Sequence, residues 1–148
     1  MHRIAEVAEL IRHEEPGGVL GLSQAQVSEI QNAWGVRELP SAYVEFLTRM
    51  GARAGRVLRG TDAFHPVILQ MRNWADEFFE ENAEVLSLPD RAVVFAMHQG
   101  YLAYWMSDIS EADPEVVLCA EGQSAPLRVW PSFTAFLDSQ YLDEPGVK

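Results

Sequence analysis

Residues 93–106, VVFAMHQGYLAYWM, decide the fold. Two apolar runs rich in β-branched and aromatic residues flank a glycine-containing turn, which is the pattern of a β-hairpin. Gly100 supplies the positive φ that such a turn needs. Gln99 would be strained in a two-residue type I′ loop. We therefore read His98-Gln99-Gly100 as a three-residue loop with Gly100 left-handed as a G1 bulge. That register puts Val93, Phe95, Met97, Tyr101, Ala103 and Trp105 on one face, and Val94, Ala96, Leu102, Tyr104 and Met106 on the other. Both faces are apolar, so polarity leaves the register open, and a slip of one residue would exchange them. A hairpin apolar on both sides needs cover on both sides, and helices must supply much of it.

Immediately upstream, Leu88-Pro89-Asp90 leads into the hairpin. Before that, the spacing of Val67, Met71, Trp74, Ala75 and Phe78 predicts a helix from Pro66 to about Glu81. Asp76, Glu77, Glu80, Glu81 and Glu84 crowd the end of this helix, where its dipole disfavours negative charge. The like-charged pairs Asp76–Glu80 and Glu77–Glu81 cost about 0.2–0.5 kcal/mol each. Stability alone does not select such a placement. It is either a solvated face whose cost the core absorbs or a surface meant for something else.

Downstream, Ser107 to Pro114 (SDISEADP) is an acidic loop. Glu115 to Cys119 reads as a strand, EGQSAP as a turn, and Leu127 to Trp130 as a short strand. Ser132 caps a final helix that buries Phe133, Phe136, Leu137 and Tyr141.

Toward the N-terminus, Ile4, Val7, Ala8 and Ile11 predict a helix near Arg3 to Glu14, ended by Pro16-Gly17-Gly18. Ser23 caps a second helix, with Gln26 completing a capping box and Leu22 placed to pack on Val27. Val27, Ile30 and Trp34 form its buried stripe, and Gly35 terminates it. Leu39-Pro40 opens a third, with proline in the first turn. Tyr43, Phe46, Leu47 and Met50 line its inner side, and Gly51 stops it. ARAGRVLRGTD then reads as an exposed loop with a short strand at Arg56 to Arg59, its arginines answering nearby acids or facing water. Helices, then antiparallel strands, then one helix make an α+β domain.

The 148 residues suit one domain, with a core over about 23–141, an N-terminal helix and loop over 1–18, and a tail over 142–148. Hydrophobic residues make up 48%, enough to build a real core. MHRIAEVAEL lacks the apolar run of a signal peptide, and no stretch approaches a membrane span. The lone cysteine, Cys119, precludes an intrachain disulfide, so a reducing cytoplasm is the expected location. His2, His13, His65, His98 and Cys119 show no metal-ligand spacing. Asp and Glu total 22 against 11 Lys and Arg, a formal net charge of −11. That balance argues against direct nucleic-acid binding and suits either a soluble acidic exterior or docking of a basic partner.

These pieces together resemble the SUKH superfamily, the bacterial immunity proteins related to the fungal Smi/Knr cell-wall regulators. Leu39-Pro40-x-x-Tyr43-x-x-Phe46-Leu47 is similar to the family's LP-start helix, and the Gly51 region to the glycine loop after it. Leu88-Pro89, the hairpin VVFAMHQGYLAYW, the strand DPEVVLCAEG and the closing SFTAFL follow in the family's order, over about Ser23 to Asp138. One departure is Met50-Gly51-Ala52 where the family usually has Asn-Gly-Gly, which puts any role for that asparagine in doubt. The resemblance implies a curled, mostly antiparallel sheet with helices packed on it, no cofactor, and, for many bacterial members, inhibition of a toxin, often a nuclease. Other members are interaction domains, so a regulatory or adaptor protein without a toxin is the alternative.

No P-loop, dinucleotide fingerprint, nucleophile elbow or HExxH is present. His98 reads as a hydrogen-bonded turn residue and Cys119 as a small buried hydrophobe, and we expect no enzymatic activity, catalytic residue, metal or cofactor. The expected site is a partner-binding surface of Asp76, Glu77, Glu80, Glu81 and Glu84, with Asp108, Glu111, Asp113 and Glu115 from the loop after the hairpin. Its expected partner is a basic toxin domain. The four tryptophans read mostly as core, with Trp105 or Trp130 available at a sheet margin to anchor a partner.

Overall fold

A computed structural model describes residues 1–143, so most of the expected tail, residues 144–148, lies outside the described residues. The amphipathic stripes build the helices where their spacing requires. In α1 (Ile4–Glu14) the buried residues are Ile4, Val7, Ala8 and Ile11. In α2 (Gln24–Trp34) the capping box forms: the Gln26 amide donates to Ser23 Oγ at 3.2 Å, and the Ser23 amide to Gln26 Oε1 at 2.9 Å. Gly35 ends that helix in the left-handed conformation, φ 68°.

The third helix, α3 (Ser41–Met50), begins one residue later than expected, with Pro40 as its extended N-cap rather than in its first turn. The orphan donors of its first turn reach another segment: the Ala42 amide donates to the Ala112 carbonyl at 2.9 Å. Gly51 follows with a right-handed φ of −71°, so it is not needed for backbone freedom. It is needed for space, since a Cβ there would lie 2.6 Å from the Leu47 carbonyl oxygen.

The strand expected at Arg56 to Arg59 is absent. The chain turns there, with Leu58 at φ 56°, outside the strand region, and with both Val57 and Leu58 buried. The short strand is instead β2 (Arg53–Ala54), paired antiparallel with β1 (Val19–Leu20). The loop arginines do answer acids: Arg56 pairs with Glu14 and Arg59 with Glu15.

After a 3-10 turn over Val67–Gln70 comes α4 (Met71–Glu81). The main sheet is antiparallel throughout, in the order β3 (Val93–His98), β4 (Leu102–Met106), β5 (Val116–Ala120), β6 (Arg128–Trp130). The last helix, α5 (Phe133–Leu142), starts at the Ser132 cap, whose Oγ accepts from the Ala135 amide. This is an α+β fold.

The hairpin differs from expectation in two ways. His98 pairs with Leu102 and Met97 with Ala103, so the three-residue loop is Gln99-Gly100-Tyr101. Both Gln99 (φ 51°) and Gly100 (φ 78°) are left-handed, so Gln99 carries the conformation the sequence argues against. Second, a bulge at Phe95 shifts the register between Val94 and Ala96. Met97, Ala103 and Trp105 share a face as expected, and so do Ala96, Leu102, Tyr104 and Met106. Beyond the bulge, Val94 pairs with Trp105 and Val93 with Met106, the reverse of the expected faces.

Helices cover both faces of the hairpin. On one, Phe79 of α4 meets Trp105 edge-on with centroids 5.5 Å apart. On the other, Phe95 packs against Tyr43 of α3 and against Phe133 and Phe136 of α5.

Candidate functional site: an acidic cleft beside the hairpin turn

Met71, Ala75 and Phe78 bury the inner stripe of α4. With that stripe seated on the sheet, Glu77 and Glu81, one turn apart, stand at the margin of the helix. They line a cleft of ≈ 290 Å³ together with Asp62, Trp74, Phe78, Met97 and Gly100. Phe78 and Met97 are buried, Trp74 is half-buried and the three acids are exposed, so apolar and acidic groups share the lining. Asp62 comes from the loop after β2 and is held by an antiparallel bridge to Met97 of β3.

No cation of the described chain reaches these three carboxylates. Seven arginines pair with carboxylates within 4.0 Å, and each is used elsewhere: Arg3, Arg12, Arg49, Arg56, Arg59, Arg72 and Arg91. Arg53 donates to the Gly17 carbonyl, and Arg128 lies over the Trp130 ring. Among the described residues, Asp62, Glu77 and Glu81 make no ion pair or side-chain hydrogen bond. Nor do they belong to any described group of side chains that could hold a metal ion.

The other expected contact residues divide by what already holds them. Asp76 lies 3.9 Å from Arg72 on its own helix. Glu80 and Glu84 are exposed without a partner among the described residues. In the loop after β4, Asp108 accepts from the Ser110 amide and hydroxyl, at 3.0 and 2.6 Å, and faces Arg91 at 3.8 Å. The Ser110 hydroxyl, then its amide, holds the Asp108 carboxyl below the usual carboxylate value. Asp113 accepts from the Thr134 amide and hydroxyl, at 2.9 and 2.7 Å, and so anchors the start of α5. Glu111 and Glu115 are exposed. The two groups sit at opposite ends of the hairpin: Glu77 and Glu81 beside Gly100, the loop acids beyond Met106.

Sequence reasoning missed Asp62 and Trp74. The arginines around Asp62 dominate the reading of its loop, and only the long-range bridge to Met97 brings it to the cleft. Trp74 sits on the expected helical stripe, with nothing local to distinguish it from core. The tryptophans considered as anchors, Trp105 and Trp130, are only 6% and 4% exposed. His98 shares a hydrogen bond with Thr61, Nδ1 to Oγ1 at 3.2 Å. Cys119 is buried, and burial pushes its thiol up. Neither residue lines the cleft.

The order of elements, the all-antiparallel sheet and helices on both of its faces define the class, a helix-clad α+β domain. The model of the SMI1 / KNR4 family (SUKH-1) matches residues 21–139, and the chain belongs to that family. A search of curated proteins found no match. The matched span begins after α1 and takes in everything that builds the cleft. Membership is consistent with a toxin-immunity or interaction domain. Among the described residues no helix is long and apolar enough to cross a membrane.

Proposed function

We propose that the chain is a non-catalytic protein-binding domain, an immunity protein that neutralises a cognate toxin by presenting carboxylates to a basic surface. A nuclease is the natural target class, because a site built for phosphate is basic and carboxylates can occupy it. The observation that carries the proposal is the cleft at α4, where acids of two separate segments gather and, among the described residues, seven arginines pair with carboxylates elsewhere and none pairs with these acids. The lone buried thiol suits a reducing cytoplasm.

The test is affinity capture from the source cell's lysate at low salt. Bait proteins are the wild-type chain and a variant with Asp76, Glu77, Glu80, Glu81 and Glu84 changed to lysine. The expected partner is basic, is retained only by the wild type, is released by salt, and poisons cells that express it without the chain. A partner harmless on its own would make the protein an adaptor. Failure to recover any partner whose retention depends on these charges would overturn the acidic-surface reading.

A further inference from the structure

We propose that the cleft between α4 and the hairpin turn seats one arginine side chain of the protein partner, its guanidinium against Trp74 and among Glu77, Glu81 and Asp62. This rests on the protein-binding reading above and specifies what is bound at that site.

Size sets the first limit. At ≈ 290 Å³ the cleft lies at the lower edge of the range of ligand pockets, room for one long side chain rather than for a helix or a strand. The lining sets the second. Phe78 and Met97 give a methylene stem something apolar to cover, as long basic side chains do when they pack. Trp74 offers an aromatic wall, on which cations are most favourably placed. Carboxylates from two segments then call for a donor that serves more than one at once. A guanidinium has five N–H donors spread in a plane, whereas an ammonium is a compact point charge.

The chain already contains this combination once, internally. The Arg56 guanidinium lies 4.7 Å from the Tyr141 ring centroid and 3.4 Å from Glu14. The cleft repeats the aromatic and the carboxylates but has no arginine of its own. Its walls are also held in place: Glu77 and Glu81 by a helix packed on the sheet, Asp62 by its bridge to β3. With the backbones fixed this way, only the side-chain torsions of the acids are left to order on binding.

The experiment is an amide NMR titration of the full chain with the peptide acetyl-Gly-Arg-Gly-amide, read at the Trp74 indole N–H and the Gly100 amide. The matched peptide carrying citrulline keeps the shape and removes the charge. The expected result is saturable shifts at both probes with the arginine peptide, and binding weaker by about tenfold or more with citrulline. The lysine peptide should bind several-fold more weakly than arginine. The double variant E77Q/E81Q should lose about tenfold or more; both positions are exposed, so the fold survives the change. Equal response to arginine and citrulline, or no saturation at Trp74 and Gly100, would overturn the arginine seat. If a captured partner binds E77Q/E81Q as tightly as wild type, the arginine seat fails while protein binding stands. If no partner is captured, the function fails and the titration still decides the cleft.

Discussion

The backbones of Asp62 and Met97 exchange two hydrogen bonds, Asp62 N–H to Met97 O at 2.8 Å and Met97 N–H to Asp62 O at 3.1 Å. One residue of an arginine-rich loop is thereby fixed beside the hairpin, and its carboxylate is brought to the cleft at α4, a helix that begins nine residues further along the chain. The bridge is made by backbone groups alone, so the Asp62 side chain can change without loosening it. Asp62→Asn is expected to leave thermal stability close to wild type while weakening partner capture, and a fall in melting temperature as large as that of a core substitution would contradict this.

Glu77 and Glu81 stand one turn apart on α4, both exposed and neither answered by a cation among the described residues. Neutralising them removes repulsion that the fold does not need. E77Q/E81Q is expected to melt slightly higher than wild type at low salt, with the difference shrinking as salt is added. A lower melting temperature would mean that the two carboxylates support the fold.

Tyr43 is fully buried among Trp34, Phe46, Phe95 and Phe133, and its hydroxyl has no hydrogen-bond partner. Burial lifts its phenol far above the usual value. Removing the hydroxyl removes an uncompensated desolvation, so Tyr43→Phe is expected to hold or raise stability by about 1 kcal/mol. Tyr43→Ala leaves a cavity instead and should cost about 3–5 kcal/mol. Denaturant melts of the two variants check both signs.

Ser110 depresses the Asp108 carboxyl from its usual 3.8. The folded state therefore favours the carboxylate, and the resulting stability is complete above the unfolded value and lost as pH falls through the lower folded one. Ser110→Ala should move the Asp108 titration upward, as read by carboxyl-carbon NMR. An unmoved midpoint would assign the depression to the Ser110 amide, which the substitution keeps, and to Arg91 rather than to the hydroxyl.

Local features are legible in the sequence and long-range ones are not. The Ser23–Gln26 capping box lies within one turn, so four residues contain all the information it needs. The charge cluster on α4 is likewise readable, because helical spacing alone places it. The left-handed Gln99 is not, since the turn is set by the pairing of β3 with β4, and that pairing changes register at Phe95. Nor is the employment of Asp113, which depends on Thr134 being folded back against it from 21 residues away. In β1 and β2 the ladder is two residues long, too short for any periodicity to announce it.

The bulge at Phe95 has a consequence beyond the hairpin's own register. β3 is the end strand of the main sheet, with β4 on one side and only the Asp62 bridge to Met97 on the other, and its sequence VVFAM is apolar, β-prone and uncharged, the composition that templates fibrils when a sheet edge lies open. An interrupted ladder at Phe95 breaks the regular spacing of donors and acceptors that an incoming strand would have to match. An apolar, β-prone segment is thus carried at a margin whose hydrogen-bonding pattern is broken at Phe95 and already taken up at Met97.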